Sequence, residues 1–169
     1  MAAFDIGKLR VMSKRRLDAL LARAHEVPQH PHFAENIRTI GIAVDEQRRL
    51  HLTKSLADAL VSAFEEDKPT SVEIECLKLI FLNPGADAEE LARLSKHQGP
   101  GKHQIVIGAM CRRYAHFLPE PPYAHERNDD FWSGIVCELT PKQNASGRVT
   151  FGWTLKAGTV EALRRCGYI

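Results

Sequence analysis

The chain lacks the signatures by which a sequence most often declares a catalytic activity. It contains no P-loop, no Gly-x-Gly-x-x-Gly, no Gly-x-Ser-x-Gly and no His-Glu-x-x-His. The phosphate cradle, the dinucleotide turn, the nucleophile elbow and the zinc-protease helix are thus all missing. An enzyme is not expected, and neither is a cofactor. No apolar run approaches the roughly 18 residues that a membrane span needs. Residues Met1 to Arg10 have no apolar signal-peptide centre, so the expectation is a cytoplasmic protein with no membrane partner. Cysteine is sparse and unpaired in spacing: Cys76, Cys111, Cys137 and Cys166 form no Cys-x-x-Cys and each sits in an apolar neighbourhood. Buried free thiols are expected rather than disulfides or zinc. The eight histidines include His30-Pro31-His32 and Cys111…His116, and neither has a strong metal spacing. Net charge is also small, +2, which by itself demands no polyanionic partner.

What is present is an ordinary globular composition, 44% hydrophobic and 26% charged over 169 residues. That length makes one domain or two very small ones. The charge is unevenly spread. Residues 1–32 carry six basic and three acidic side chains, residues 33–85 six and nine, residues 86–118 five and three, and residues 119–169 six of each. The basic excess therefore sits in two places, the N-terminal segment and the second helix-turn-helix element, a distribution consistent with anion contact that does not demand it.

Helical spacing of Leu9, Met12, Leu17, Leu20, Leu21 and Ala24 predicts a helix capped by Asp5 and running to about Ala24. Lys14-Arg15-Arg16 is its charge run, either a solvated face or a phosphate-contacting patch. After "VPQHP", Ile40, Ile42 and Val44 alternate, as do Leu50 and Leu52, around a polar "DEQRR"; period two predicts a β-hairpin. Leu56, Ala57, Leu60, Val61 and Phe64 then mark a helix face. Lys68-Pro69 closes an N-terminal unit of residues 1–68. The second unit, 69–169, opens on a capping box, Thr70 with Glu73. The helix "SVEIECLKLIFL" that follows is apolar on nearly every side except Glu73, Glu75 and Lys78, so it is predicted to be buried. Asp87 with Glu90 caps the next helix, "HQGPG" is a turn, and Lys102 to about Phe117 forms another helix. "LPEPPYAHERNDDFW" is too rich in proline for regular structure; it reads as a surface loop anchored by Tyr123 and Trp132. Its Asp129-Asp130, beside His125 and Glu126, is the best carboxylate cluster in the chain, and solvated acids are its expected state. "SGIVCELT" and "GRVTFGWTL" predict two strands around a polar tip, and a last helix ends near Gly167.

Three segments then carry a resemblance: Ala88-Glu89-Glu90-Leu91-Ala92, the helix from Lys102, and Trp153-Thr154-Leu155-Lys156-Ala157-Gly158 with Leu163 and Gly167-Tyr168. In the order helix, helix, turn, helix, strand, strand, helix, residues 70–169 resemble a winged helix-turn-helix domain, and the last segment is similar to the wing end of MarR-like and PadR-like bacterial regulators. Lys156 and Ala157 depart from that pattern, the turn at 98–102 is long, and residues 118–132 are an insertion before the wing. The resemblance implies an α+β fold, a winged helix-turn-helix with an N-terminal helix, β-hairpin and helix extension. It further implies a transcriptional regulator that reads double-stranded DNA with the 102–116 helix and the 140–148 wing, the extension pairing two copies in a homodimer.

At 100° per residue, Val106, Ile107, Met110, Cys111, Tyr114, Phe117 and Leu118 fall on one arc of that helix, the predicted core face. Lys102, Gln104, Ile105, Gly108, Ala109, Arg112, Ala115 and His116 fall opposite, with Arg113 at the edge. Gln pairs bidentately with adenine, Arg with guanine, and Ile105 suits a thymine methyl. Gly108 leaves room for close approach. The expected DNA-binding residues are Lys102, Gln104, Ile105, Gly108, Arg112 and Arg113 on the helix, Lys142, Asn144 and Arg148 on the wing, and Lys14, Arg15 and Arg16 on the first helix. The competing expectation is a winged-helix protein–protein module that binds no DNA, since fold does not fix function.

Overall fold

The computed structural model describes residues 3–51, 55–95, 99, 101–143 and 147–169, with side chains at all of these except 47–51 and 127. Short polar side chains start most of its helices by accepting amide hydrogen bonds that the first turn leaves open. Asp5 accepts from the Gly7 amide to begin α1 (Ile6–Arg10), and Ser13 accepts from the Arg16 amide to begin α2 (Lys14–His25). The single helix expected from Asp5 to Ala24 is therefore two. The second cap restarts the chain after a turn at Val11–Met12, and the restart lets Leu9 and Leu17 both face inward.

The larger correction is α3 (Phe33–His51), one long helix where a β-hairpin was predicted. Ile40, Ile42 and Val44 alternate, but only Ile40 and Val44 are buried; Ile42 is 42% exposed. The spacing that decides is Ile37, Ile40, Ala43 and Val44, a three-and-four pattern that a helix places on one face. The "DEQRR" run holds none of the Asn, Gly or Pro that a tight hairpin turn requires. Buried Asn36 ties the preceding chain to this helix, accepting a 2.9 Å hydrogen bond from the Phe4 amide.

Ser55 caps α4 (Leu56–Glu66). The two predicted capping boxes form, Thr70 with Glu73 on α5 (Ser71–Leu82) and Asp87 with Glu90 on α6 (Ala88–Leu94). Gly101, at φ 84°, starts α7 (Lys102–Arg113) with no side-chain cap. The insertion folds into a small ribbon, β1 (Tyr123–Ala124) against β2 (Asp129–Asp130), turned at Asn128 with φ 50°. A turn of 3-10 helix, Trp132–Ile135, leads into β3 (Cys137–Gln143). β3 pairs antiparallel with β4 (Val149–Leu155), Cys137 facing Leu155 and Gln143 facing Val149. α8 (Ala157–Arg165) closes the chain.

The α5–α6 connection joins this hairpin. Trp153 donates to the Ala86 carbonyl at 2.9 Å, and Gly85 donates to the Trp153 carbonyl at 2.7 Å. The approach is so close that a Cβ on Gly152 would lie 2.5 Å from the Gly85 oxygen. Only glycine fits there.

Apolar side chains gather in two clusters that share no member among the described residues. The smaller holds Leu9, Leu17, Ala24, Ile40, Ala43 and Val44 of α1–α3. The larger runs from α4 through α8 and includes Leu60, Leu77, Ile107, Met110, Trp153 and Leu163. Each fully buried leucine contributes roughly 1.5–3 kcal/mol. α4 lies along α8, so Leu60 and Phe64 share a core with the helices that follow Pro69. The architecture is mixed α+β. Among the described residues no helix is long and apolar enough to cross a membrane.

Candidate nucleic-acid interface

α7 is held by its buried side. His103, Ile107, Met110 and Cys111 are buried, and Tyr114 and Leu118 continue the face beyond its end. His103 joins a core arc that the sequence pattern did not give it, and Ala115, placed on the polar arc, is buried as well. Val106 and Phe117 are only half-buried.

The predicted polar arc splits in two. Lys102, Ile105, Ala109 and Arg112 stand exposed, Ile105 at 73%. Gln104 and Gly108 turn sideways, into an open groove of about 580 Å³. Its far wall is the insertion: Ala124, Asp129, Asp130, Phe131, Trp132 and Ser133. Trp132 packs beside Gly108, where an added Cβ would meet the Trp132 Cβ at 3.9 Å, an ordinary contact. The Arg112 guanidinium lies 5.7 Å from the centre of the Trp132 ring, within cation–π range. The space expected at Gly108 is thus shared with Trp132, and the insertion is a strap along one flank of α7.

Arg113 points elsewhere. Its guanidinium grips the buried Glu73 carboxylate through two hydrogen bonds of 2.8 and 2.9 Å, meets Asp67 at 2.8 Å and donates to the Tyr114 hydroxyl at 2.8 Å. Glu73 was expected on the polar side of α5; it is buried because it closes the capping box and receives Arg113. Burial pushes the Glu73 carboxyl upward, but the hydrogen bonds from Arg113 and Thr70, with the Arg113 charge, outweigh it and hold it below the ordinary carboxylate value. The same bond to Glu73 raises Arg113. This bidentate pair is a structural clamp between α5 and α7.

The remaining predicted cations divide likewise. On the wing, the Lys142 ammonium reaches Glu90 at 2.5 Å, the Gly85 carbonyl at 3.2 Å and Asp87 at 3.7 Å. Its pKa is raised chiefly by the bond to Glu90. Lys142 therefore fastens β3 to the start of α6. Arg148 is exposed near the start of β4. Asn144 lies outside the described residues.

On α2, Lys14 pairs with Asp18 at 2.5 Å. Arg15 meets Asp130 at 2.5 Å and stacks 4.5 Å from the Tyr123 ring centre. Arg16 pairs with Asp129 and approaches Asp130 at 3.5 Å. Asp129-Asp130 is thus no pair of solvated acids: the Asp130 side chain is 2% exposed and also accepts from the Ser13 hydroxyl at 2.6 Å. Asp129 is depressed, first by its hydrogen bond from the Asp130 amide and then by the nearby guanidinium groups of Arg16 and Arg112. Sequence reasoning missed this junction. Its only local signal was the adjacency of two acids in a loop rich in aromatics and proline.

Among the described residues no three His, Cys, Asp or Glu side chains converge in a metal-holding arrangement. No family model matches the chain, and neither a curated protein nor a solved structure does.

Proposed function

We propose that residues 70–169 form a winged helix-turn-helix domain that docks on duplex DNA, with α7 entering the major groove and the β3–β4 tip beside it. The carrying observation is the exposed stripe Lys102, Ile105, Ala109 and Arg112 on the helix that follows the turn. Two cations flank a small apolar surface there, which suits guanine or phosphate on either side of a thymine methyl. The helix is braced from behind by Glu73–Arg113, and the wing is braced by Lys142 and the Ala86–Trp153 bridge. A reading element on a rigid base keeps its register on the duplex. Contact falls to Lys102, Ile105 and Arg112, with Gln104 at the groove edge and Arg148 on the wing. Arg113 and Lys142 serve as braces. In this reading the protein is a regulator and a homodimer, α1–α3 pairing two copies so that two α7 helices sit about one DNA turn apart.

Fluorescence anisotropy on labelled duplexes tests the reading. Arg112→Ala should weaken binding by roughly 5- to 150-fold, the value of one good bidentate base contact, with Gln104→Ala milder. Unchanged affinity in both variants rejects it.

One observation favours a second reading, a protein–protein module. The groove beside α7 has Asp129 on its far wall and an exposed Ile105 on its near one, a mixed surface that suits a peptide better than a phosphate backbone. A partner retained by the Ile105→Asp variant counts against it; a partner lost by that variant, with no duplex binding, replaces the first reading.

A further inference from the structure

We propose that the outer face of α3 is a self-docking surface, on which a second copy of the chain lies antiparallel with Arg38 set against Asp45 of that copy. α3 packs on α1 and α2, and Asn36, Ile40, Ala43 and Val44 are its buried side. Arg38, Gly41, Ile42 and Asp45, spaced by three, one and three, line the other side, where Arg38, Ile42 and Asp45 are exposed. The features of that side go unused within the chain. Ile42 faces solvent in mid-helix. Gly41 stands beside it, and a Cβ added there would meet nothing within 4 Å. Glycine is the costliest helix-interior residue after proline, yet no described neighbour requires it here. The charges complete the pattern. Glu35 and Glu46 find partners in their own chain, His32 and Arg10. Among the described residues Arg38 and Asp45 make no ion pair. They lie about 10 Å apart along the helix axis, too far to meet each other.

A second copy supplies what each feature lacks. In an antiparallel pair related by a twofold axis, residues at one level have numbers with a constant sum. An axis between Gly41 and Ile42 puts Arg38 level with Asp45 of the second copy, and Asp45 level with its Arg38. Ile42 then packs against Ile42 of the second copy, and Gly41 lets the two backbones approach closely. The apolar contact at the axis is flanked by an ion pair on either side. A parallel pair fails, because residues of the same number meet there and like charges face each other. The surface therefore fits a copy of itself in one orientation, an isologous contact. A single helix pair falls below the roughly 1,200 Å² of a stable interface. The contact is thus weak in solution and strengthens where one duplex holds two copies. That strengthening rests on the DNA reading above; the self-docking stands on α3 alone.

The test is sedimentation equilibrium on the full chain, the wild type being expected to associate in the micromolar range. Arg38→Asp and Asp45→Arg each set like charges together and should weaken self-association by about tenfold or more. Mixed, the two variants should form a heterodimer within about twofold of wild-type affinity, since each then meets opposite charges on the other. Gly41→Leu should weaken association while Tm stays at or above the wild-type value, because its Cβ meets nothing in its own chain. In a Cys166→Ser background the other three cysteines are buried. There Ile42→Cys should cross-link copy to copy under a copper–phenanthroline oxidant, and Ala22→Cys, exposed on α2, should not. A monomeric wild type, or single charge variants that associate as the wild type does, overturn the self-docking. Association that follows the charges while no duplex binds overturns the DNA reading and leaves the α3 contact standing. Duplex binding by a wild type that stays monomeric does the reverse.

Discussion

Arg113 on α7 and Arg16 on α2 look alike in the sequence, each the second arginine of a pair. They do opposite things. Arg113 clamps a carboxylate that is nearly buried, in a bidentate geometry backed by Thr70. Arg16 and its nearer partner Asp129 are both about half exposed, and the buried Asp130, 3.5 Å from Arg16, is already held by Arg15. An ion pair with a buried member is strongly destabilising to break, because the remaining charge is left without a partner in a dry site. An exposed pair is screened and stabilises little. The main body, α4 through α8, is therefore held by apolar packing with one nearly buried clamp, whereas α1–α3 have an apolar cluster of their own and α2 meets the 119–131 loop through hydrogen bonds and ion pairs. Neighbouring Arg112 belongs to neither class, its guanidinium lying over an indole face.

The largest effect expected from breaking this comparison is at Arg113. Arg113→Ala should cost about 3 kcal/mol and lower Tm by about 6–12 °C in calorimetry. The sign with pH follows from Glu73. Its folded carboxyl titrates below its ordinary value of 4.5, so the stability it contributes is complete above pH 4.5 and is lost as pH falls through the depressed folded value. Arg113→Ala should show a smaller loss of stability over that acid range than the wild type. Next is Gly152→Ala, whose Cβ collides with the Gly85 carbonyl. A loss of about 1–3 kcal/mol is expected in urea unfolding, with β4 parted from the α5–α6 connection. Smallest is Arg16→Ala, expected to cost under about 1 kcal/mol at low salt and nearly nothing at about 0.5 M. A salt-independent loss as large as that of Arg113→Ala would erase the distinction between the two regions.

The elements whose ends are marked by local chemistry were legible from sequence. Thr70 with Glu73 and Asp87 with Glu90 wrote the starts of α5 and α6, and strong alternation around a polar tip wrote β3 and β4. α3 was not, because Ile40, Ile42 and Val44 satisfy period two and nearly satisfy a helix; only Ile37 and Ala43 break the tie, and the helix buries both sets differently. At the candidate site, the periodicity of α7 separated Ile107 and Met110 from Ile105 and Arg112. It left Arg113 at the boundary, since its direction depends on Glu73, 40 residues away. The junction of α2 with the loop at 119–131 is further out of reach: Arg15 meets Asp130 across 115 positions, and nothing in either segment alone names the other. Charge runs in a sequence state how many cations there are. Which of them stay available is decided by where distant carboxylates fold.

The proposal that α7 reads DNA is tested most directly by duplex affinity measured across a salt series, for the wild type and for Lys102→Ala with Arg112→Ala. The account predicts wild-type affinity that falls steeply and linearly on logarithmic axes, and a variant line both lower and shallower by about one to two in slope. Superimposable lines for the two proteins, or no duplex binding by the wild type at low salt, would contradict it.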